Sequence, residues 1–311
     1  MKIPIDMLSM HPDVATALHS GTPVLALEST IIAHGMPYPE NLSFAQKAED
    51  VARQAGAVPA TIGILNGKIK IGLTEDECEQ LASRPSHKTT LRDLAHVISE
   101  KASGATTVSA TMALAHAAGI NVFATGGIGG IHRNVVEHFD ISQDMLALSN
   151  YPLLVVCAGV KAVLDIPKTL EVLETAGVPV VSYNCSEFPA FYSRSSGLAS
   201  SLSLMDSEKI ADLFWTHRKL GIGTAVLVAN PIPKENEIPR QEMSNIIDTA
   251  IRESQKRRIS GKAVTPFLLQ SIVQMTGGRS LGANIALAIN NVKVGAELAI
   301  LLKKRSGSAN F

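Results

Sequence analysis

Short apolar runs alternate along this chain with longer amphipathic segments, and that alternation narrows the fold more than any other feature. Val24–Glu28 reads as a buried strand that ends in polar Ser29-Thr30. Helical periodicity follows over Asn41–Ala55 and stops at Gly56. Thr61–Leu65 and Ile69–Ile71 flank Asn66-Gly67, a dipeptide that tolerates the positive φ of a type I′ turn and so predicts a hairpin. A small-residue helix is expected over Thr106–Ala118, then a strand at Asn121–Ala124. Leu153–Ala158 is the most apolar strand, followed by helix Pro167–Ala176 and strand Val178–Ser182. Helix Ser207–Leu220, strand Ala225–Ala229 and helices at Arg240–Arg258, Pro266–Met275 and Leu281–Lys303 complete the series. This pattern predicts an α/β fold with helices on both sides of a central, mixed sheet. The proline-rich stretch Pro231–Pro239 reads as a loop between strand and helix, so residues 1–311 are expected to form a single domain.

Composition excludes several function classes. Hydrophobic residues make up 46% and aromatics only 4%, which points to a core of Ala, Val, Ile and Leu. A formal net charge of +0 gives no general attraction to nucleic acid or anionic lipid, so phosphate recognition has to be local. Cys78, Cys157 and Cys185 have neither paired nor metal-ligand spacing. Met1–Pro12 lacks the basic-then-apolar order of a signal peptide, and no uninterrupted apolar segment reads as long enough to cross a bilayer. The expectation is a soluble, reduced, cytoplasmic protein.

Ligands of open α/β sheets collect beyond the carboxyl ends of the strands, so reactive residues there are the ones to weigh. Glu28 closes an apolar strand. Desolvation there raises a carboxyl pKa and suits it to proton donation; the alternative is a structural acid paired with an arginine. Thr125–Arg133 sets four glycines beside His132 and Arg133, which is either an anion loop or a tight turn. Lys161 follows the most apolar strand, where desolvation can make an amine nucleophilic; otherwise it caps a sheet edge. Asp140, Ser142 and Asp144 offer oxygen ligands to a hard cation, or caps to a helix running through Leu148. Lys88, Arg92 and Asp93 could extend an anion site, or Thr89 or Thr90 could cap a helix.

Taken together these segments resemble the pseudouridine-5′-phosphate glycosidase family, also called the indigoidine synthase A-like family. The matching stretches are Ala26–Pro39, Gly104–Met112, Phe123–Arg133, Phe139–Met145, Val156–Lys161 and Gly278–Asn291, in family order across nearly the whole chain. The resemblance implies a three-layer α/β/α sandwich, usually trimeric, that cleaves the C–C glycosidic bond of pseudouridine 5′-phosphate to uracil and ribose 5-phosphate. It implies Glu28 as proton donor, Lys161 as nucleophile and Asp140 as the Mn²⁺ ligand. Ser142, Gln143 and Asp144 match a substrate-contacting turn, Lys88 and Val108 match substrate contacts, and Asn284 matches a contact near the sugar. Thr107, His132 and Arg133 are placed around the phosphate. Ser109 and Gln143 depart from the small residues common at their positions. Two rival readings stay open: a Schiff-base lyase or aldolase on another phosphosugar, and a non-catalytic phosphosugar-binding protein.

Overall fold

The computed structural model describes residues 3–4, 7–133, 135–259 and 264–308. The chain enters through β1 (Leu8–Met10), α1 (Pro12–Ser20), β2 (Val24–Glu28), α2 (Thr30–His34) and α3 (Glu40–Gln54). The hairpin β3 (Val58–Leu65) and β4 (Lys68–Ile71) precedes α4 (Glu75–Ser83), β5 (His87–Thr89), α5 (Leu94–Ser99) and β6 (Gly104–Thr106). Next come α6 (Val108–Ala117), β7 (Val122–Ala124), α7 (Val135–His138), α8 (Gln143–Asn150), β8 (Leu154–Cys157) and α9 (Ile166–Thr175). The chain closes with β9 (Val180–Tyr183), β10 (Ser203–Leu204), α10 (Ser207–Lys219), β11 (Val226–Ala229), α11 (Arg240–Lys256), α12 (Val264–Met275) and α13 (Arg279–Ser308).

The strands form one sheet in the order β1-β4-β3-β2-β7-β8-β11-β9-β10, with β6 also paired to β3 and β5 to β6. Only β3–β4 and β3–β6 are antiparallel, so the sheet is mixed but mostly parallel. Every residue of β2, β7, β8 and β11 is buried, as expected of parallel strands covered on both faces by helices. Asn66 (φ 50°) and Gly67 (φ 74°) make the turn that their sequence predicts.

α13 has the length and average apolarity to cross a bilayer over Arg279–Arg305, but Lys293 and Glu297 interrupt it, so no uninterrupted apolar run of that length is present there. Most of it is buried, because it lies against β2, β7 and β8 and must be apolar to cover them. Gly295 permits the approach: a Cβ there would stand 2.9 Å from Leu25 Cδ1 and 3.2 Å from Ala124 Cβ. The helix expected from Thr106 begins instead at Val108, since Gly104–Thr106 is committed to β6 between β3 and β5. β1, β5, β6 and β10 escaped the sequence reading because two or three residues carry no usable period.

The hairpin turn provides a stability test. A Cβ on Gly67 would fall 2.8 Å from both Ile98 O and Lys101 Cα at positive φ. Gly67→Ala is expected to lose roughly 1–3 kcal/mol, measured as a lowered urea midpoint; an unchanged midpoint would show that the turn does not hold this edge of the sheet.

Candidate active site

Three segments meet beyond the carboxyl ends of β2, β7 and β8. Glu28 closes β2 and is only 6% exposed, and the Thr125 hydroxyl, one residue past β7, donates to its Oε1. Burial pushes the Glu28 carboxyl above the ordinary carboxylate range. Lys161, the Thr125 hydrogen bond and Lys88 oppose that rise, while Asp144 adds to it. All four groups therefore lie within electrostatic reach of one buried acid, and no arginine pairs with it among the described residues.

Lys161 is delivered by backbone pairing that continues past the strands. Ala158 N donates to Gly126 O (2.9 Å), Ile128 N to Gly159 O (3.1 Å) and Lys161 N to Ile128 O (3.0 Å). The glycine loop and the lysine segment thus form one ladder, and the half-buried Lys161 emerges at its end. Asn291 on α13 holds the loop's start, its Nδ2 donating to Thr125 O (2.9 Å) and Gly126 O (3.3 Å). Asn230, at the end of β11, donates in turn to Asn291 Oδ1 (3.0 Å). The sequence assigns neither asparagine a role, although Asn291 ends the family-like stretch Gly278–Asn291.

The glycines are required by close packing. A Cβ on Gly129 would sit 2.2 Å from Ser142 Oγ and 2.7 Å from Asp144 Oδ2, and one on Gly127 would sit 2.5 Å from the Phe191 ring. Asp144 is 5% exposed, and it accepts from Ser109 N (3.0 Å) in the first turn of α6 and from Gly129 N (2.7 Å). The loop therefore already binds an anion, and that anion is the protein's own carboxylate. Ser142 caps α8 by accepting from Asp144 N (3.2 Å), and Gln143 Oε1 accepts from Arg92 N (3.2 Å). Of the expected turn, Asp144 and Ser142 spend acceptors on the scaffold.

Lys88 lies on β5, and the expected cap at Thr90 is present as a reciprocal pair with Asp93. Thr107 precedes α6 as its N-cap residue, Val108 begins the helix at 1% exposure, and Thr107 Oγ1 meets Ser109 Oγ at 3.0 Å. Ser29 Oγ donates to Ile62 O (2.7 Å) and accepts from Thr106 N (2.9 Å), fixing the end of β6 to β2 and β3 just before α6 begins. Asn284 on α13 is 8% exposed, and its Oδ1 has no partner among the described residues. That atom stands 3.5 Å from where a Gly126 Cβ would be, so an unspent acceptor faces the loop.

His132 and Asp140 flank α7, His132 N donating to Asp140 O (3.1 Å) with Nε2 3.6 Å from Oδ2. The Asp140 side chain is 43% exposed, and no cluster of three or more His, Cys, Asp or Glu surrounds it among the described residues. Arg133 points elsewhere: it pairs with Asp248 on α11 (2.8 Å) and donates to Ala162 O (3.4 Å).

The family model described as "Indigoidine synthase A like protein" matches residues 13–301. A Paracoccus denitrificans protein named pseudouridine-5′-phosphate glycosidase is 51% identical over 296 residues, covering 94% of this chain and 97% of the relative. One of the same name from Legionella pneumophila is 48% identical over 301 residues, covering 96% and 97%. Among solved structures, an indigoidine synthase A-like protein from Thermotoga maritima superposes with a TM-score of 0.88 at 36% identity, covering 96% of this chain and 97% of the other. The prealnumycin C-glycosynthase AlnA, solved with ribulose 5-phosphate, superposes with a TM-score of 0.91 at 34% identity, covering 98% and 100%.

The buried acid has a stability signature. A carboxyl whose pKa is raised on folding binds its proton more tightly in the folded state. Its favourable contribution is therefore full below the ordinary carboxylate range and is lost as pH rises through the elevated value. Glu28→Gln removes the ionisation, so it should raise Tm at about pH 8 and change it little at about pH 4. Equal Tm shifts at both values would refute the buried-acid reading.

Proposed function

The chain belongs to the indigoidine synthase A-like family, and from that premise we propose how its own residues act as a pseudouridine-5′-phosphate glycosidase. The reaction splits the C1′–C5 bond between ribose and uracil with net addition of water. A carbon leaving group gains no help from a departing nitrogen, so the sugar has to be opened first. Glu28 keeps its proton to higher pH than an ordinary glutamate and protonates the ribose ring oxygen as electrons from uracil open the ring at C1′. The Lys161 amine adds to C1′, uracil C5 takes a proton as its bond to C1′ breaks, and water hydrolyses the imine to ribose 5-phosphate. Covalent catalysis of this kind divides one difficult step into easier ones.

The observation that carries this reading is a buried, proton-retaining Glu28 within electrostatic reach of Lys161. An acid and an amine at the shared end of β2 and the β7–β8 ladder supply both groups that ring opening and capture need. Thr125 orients the acid, and Asn291 fixes Thr125 from α13. Lys88, the start of α6 at Thr107-Val108, the Ser142–Asp144 turn and Asn284 form the surround into which we place the phosphate, sugar and base. We place His132 at the rim with Asp140. Arg133 serves the phosphate only by releasing Asp248, so its first role here is to hold the segment after Lys161.

Asp140 would hold the divalent cation, Mn²⁺ by family expectation. One half-exposed carboxylate suits a hard ion that keeps most of its waters. When bound, such an ion polarises a substrate oxygen or orients water. Homotrimeric assembly and a cytoplasmic setting belong to the same proposal; three unpaired thiols, two of them buried, support a reducing compartment.

Borohydride quenching during turnover with pseudouridine 5′-phosphate should leave a ribose-phosphate adduct on the peptide containing Lys161, read by mass spectrometry. Lys161→Arg keeps the charge but forms no imine, and should be inactive while still binding substrate. An active Lys161→Arg enzyme without adduct would overturn the mechanism.

Asp140→Ala should lose most activity, keep its melting temperature and bind Mn²⁺ more weakly by paramagnetic titration. Full wild-type activity in thoroughly chelated buffer would remove the metal from the reaction.

A further inference from the structure

A second cleft opens over the carboxyl ends of β8, β9 and β11, on the far side of the segment that carries Lys161. Its volume is about 390 Å³, within the size range of small-molecule sites. Ala162 and Asp165 wall it on one side, Ser193 and Ser196 on another, and Arg240 and Met243 at the start of α11 on a third. Arg133 reaches it from the glycine loop. None of Glu28, Lys161, Lys88 or Asn284 lines it.

The formal charges around this cleft balance, Arg133, Lys168 and Arg240 against Asp165, Glu187 and Asp248, but they are not all paired. Asp165 is held by the Lys168 ammonium (2.5 Å) and backbone N–H (3.1 Å), and Asp248 is paired with Arg133. Glu187 accepts from the Ser195 hydroxyl and from Gly197 N. Arg240 is different: its guanidinium has neither a carboxylate nor a carbonyl partner among the described residues. It is nonetheless seated. Gly197, at φ 75°, lacks the Cβ that would fall 2.1 Å from Arg240 Nη1 and 3.0 Å from its Cζ. Gly197 leaves that space to the guanidinium, which lies solvent-exposed at the edge of the cleft. Beside it Ser193 and Ser196 are 2% and 6% exposed. The Ser193 hydroxyl donates to Ile238 O (2.7 Å), which leaves its oxygen lone pairs unspent, and Ser196 Oγ accepts from Leu198 N (3.3 Å), which leaves its hydrogen free to donate.

We propose that this cleft is a second anion site, with Arg240 as its principal ligand-binding residue, for a small phosphorylated sugar. A planar guanidinium offers paired donors that match phosphate oxygens, Ser196 adds a hydroxyl donor, and the volume accommodates a pentose beside Met243. Because Ala162 both lines the cleft and follows Lys161, its occupant touches the segment that carries the nucleophile. The site does not depend on how Lys161 reacts.

The test is calorimetric titration of the full-length protein with ribose 5-phosphate, alongside steady-state kinetics. Wild type should show a component that Arg240→Ala weakens about tenfold to a hundredfold, with Arg240→Lys intermediate because it keeps the charge and loses the fork. Gly197→Ala, whose Cβ displaces the guanidinium, should weaken the same component. Melting temperatures check that each variant folds, and the exposed position of Arg240 favours this. Turnover of pseudouridine 5′-phosphate by Arg240→Ala should stay within about twofold of wild type, because the residue lies outside the reaction site. A titration unchanged in Arg240→Ala would overturn the proposal. So would a loss of kcat/KM in step with binding, which would make Arg240 part of the reaction site instead.

Discussion

Asp144 is the interaction on which the rest of the site depends. One buried carboxylate accepts from the first turn of α6 and from the middle of the glycine loop, while its own backbone is capped by Ser142. A charge removed from water is tolerable only when it is hydrogen-bonded, and here the partners are main-chain N–H groups from two separate segments. Their positions are therefore linked. Moving α6 shifts Val108, moving the loop shifts the ladder that carries Lys161, and neither moves without leaving a buried anion short of a donor. The same carboxylate lies within electrostatic reach of Glu28 and pushes its pKa further upward, so one residue braces the frame and tunes the acid.

Around this anchor the strand ends carry the reacting groups and the helices brace them. β2, β7 and β8 run parallel and adjacent, so their carboxyl ends bring Glu28, Thr125 and the approach to Lys161 to one edge. α13 adds Asn284 and Asn291 from across the sheet, and β5 brings Lys88 from the branch that leaves β3 through β6. β3 outlasts β2, which pairs with it only as far as Ile62, so Gly63 and Ile64 take β6 on the edge that β2 leaves.

What could be read from the sequence follows the range of the forces involved. The strand-end positions of Glu28 and Lys161 are legible because a charged residue ending an apolar run is a local signal, whereas their roles rest on the family resemblance. The Asn66-Gly67 hairpin was legible because two residues decide it. The partners of Asp144 and Arg133 were not, since Ser109 and Asp248 lie 35 and 115 positions away. The four glycines suggested an anion but could not say whose; the geometry assigns Gly129 to an internal carboxylate. Ser142 caps α8, as a serine placed just before a helix predicts, and the cap leaves room for a second role. The three-residue strands β5 and β6 exist only through each other and β3, so no window along the chain reveals them.

α13 follows every strand in the chain, yet it covers the middle of the sheet and holds the start of the loop through Asn291. During synthesis the parallel strands therefore leave the ribosome well before the helix that shields them. Until it docks, a broad apolar surface on β2, β7 and β8 is bare, and the loop that feeds Lys161 lacks its amide brace. Catalytic competence thus arrives late in biogenesis, together with colloidal solubility. A chain shortened before this helix would forfeit both through a single omission.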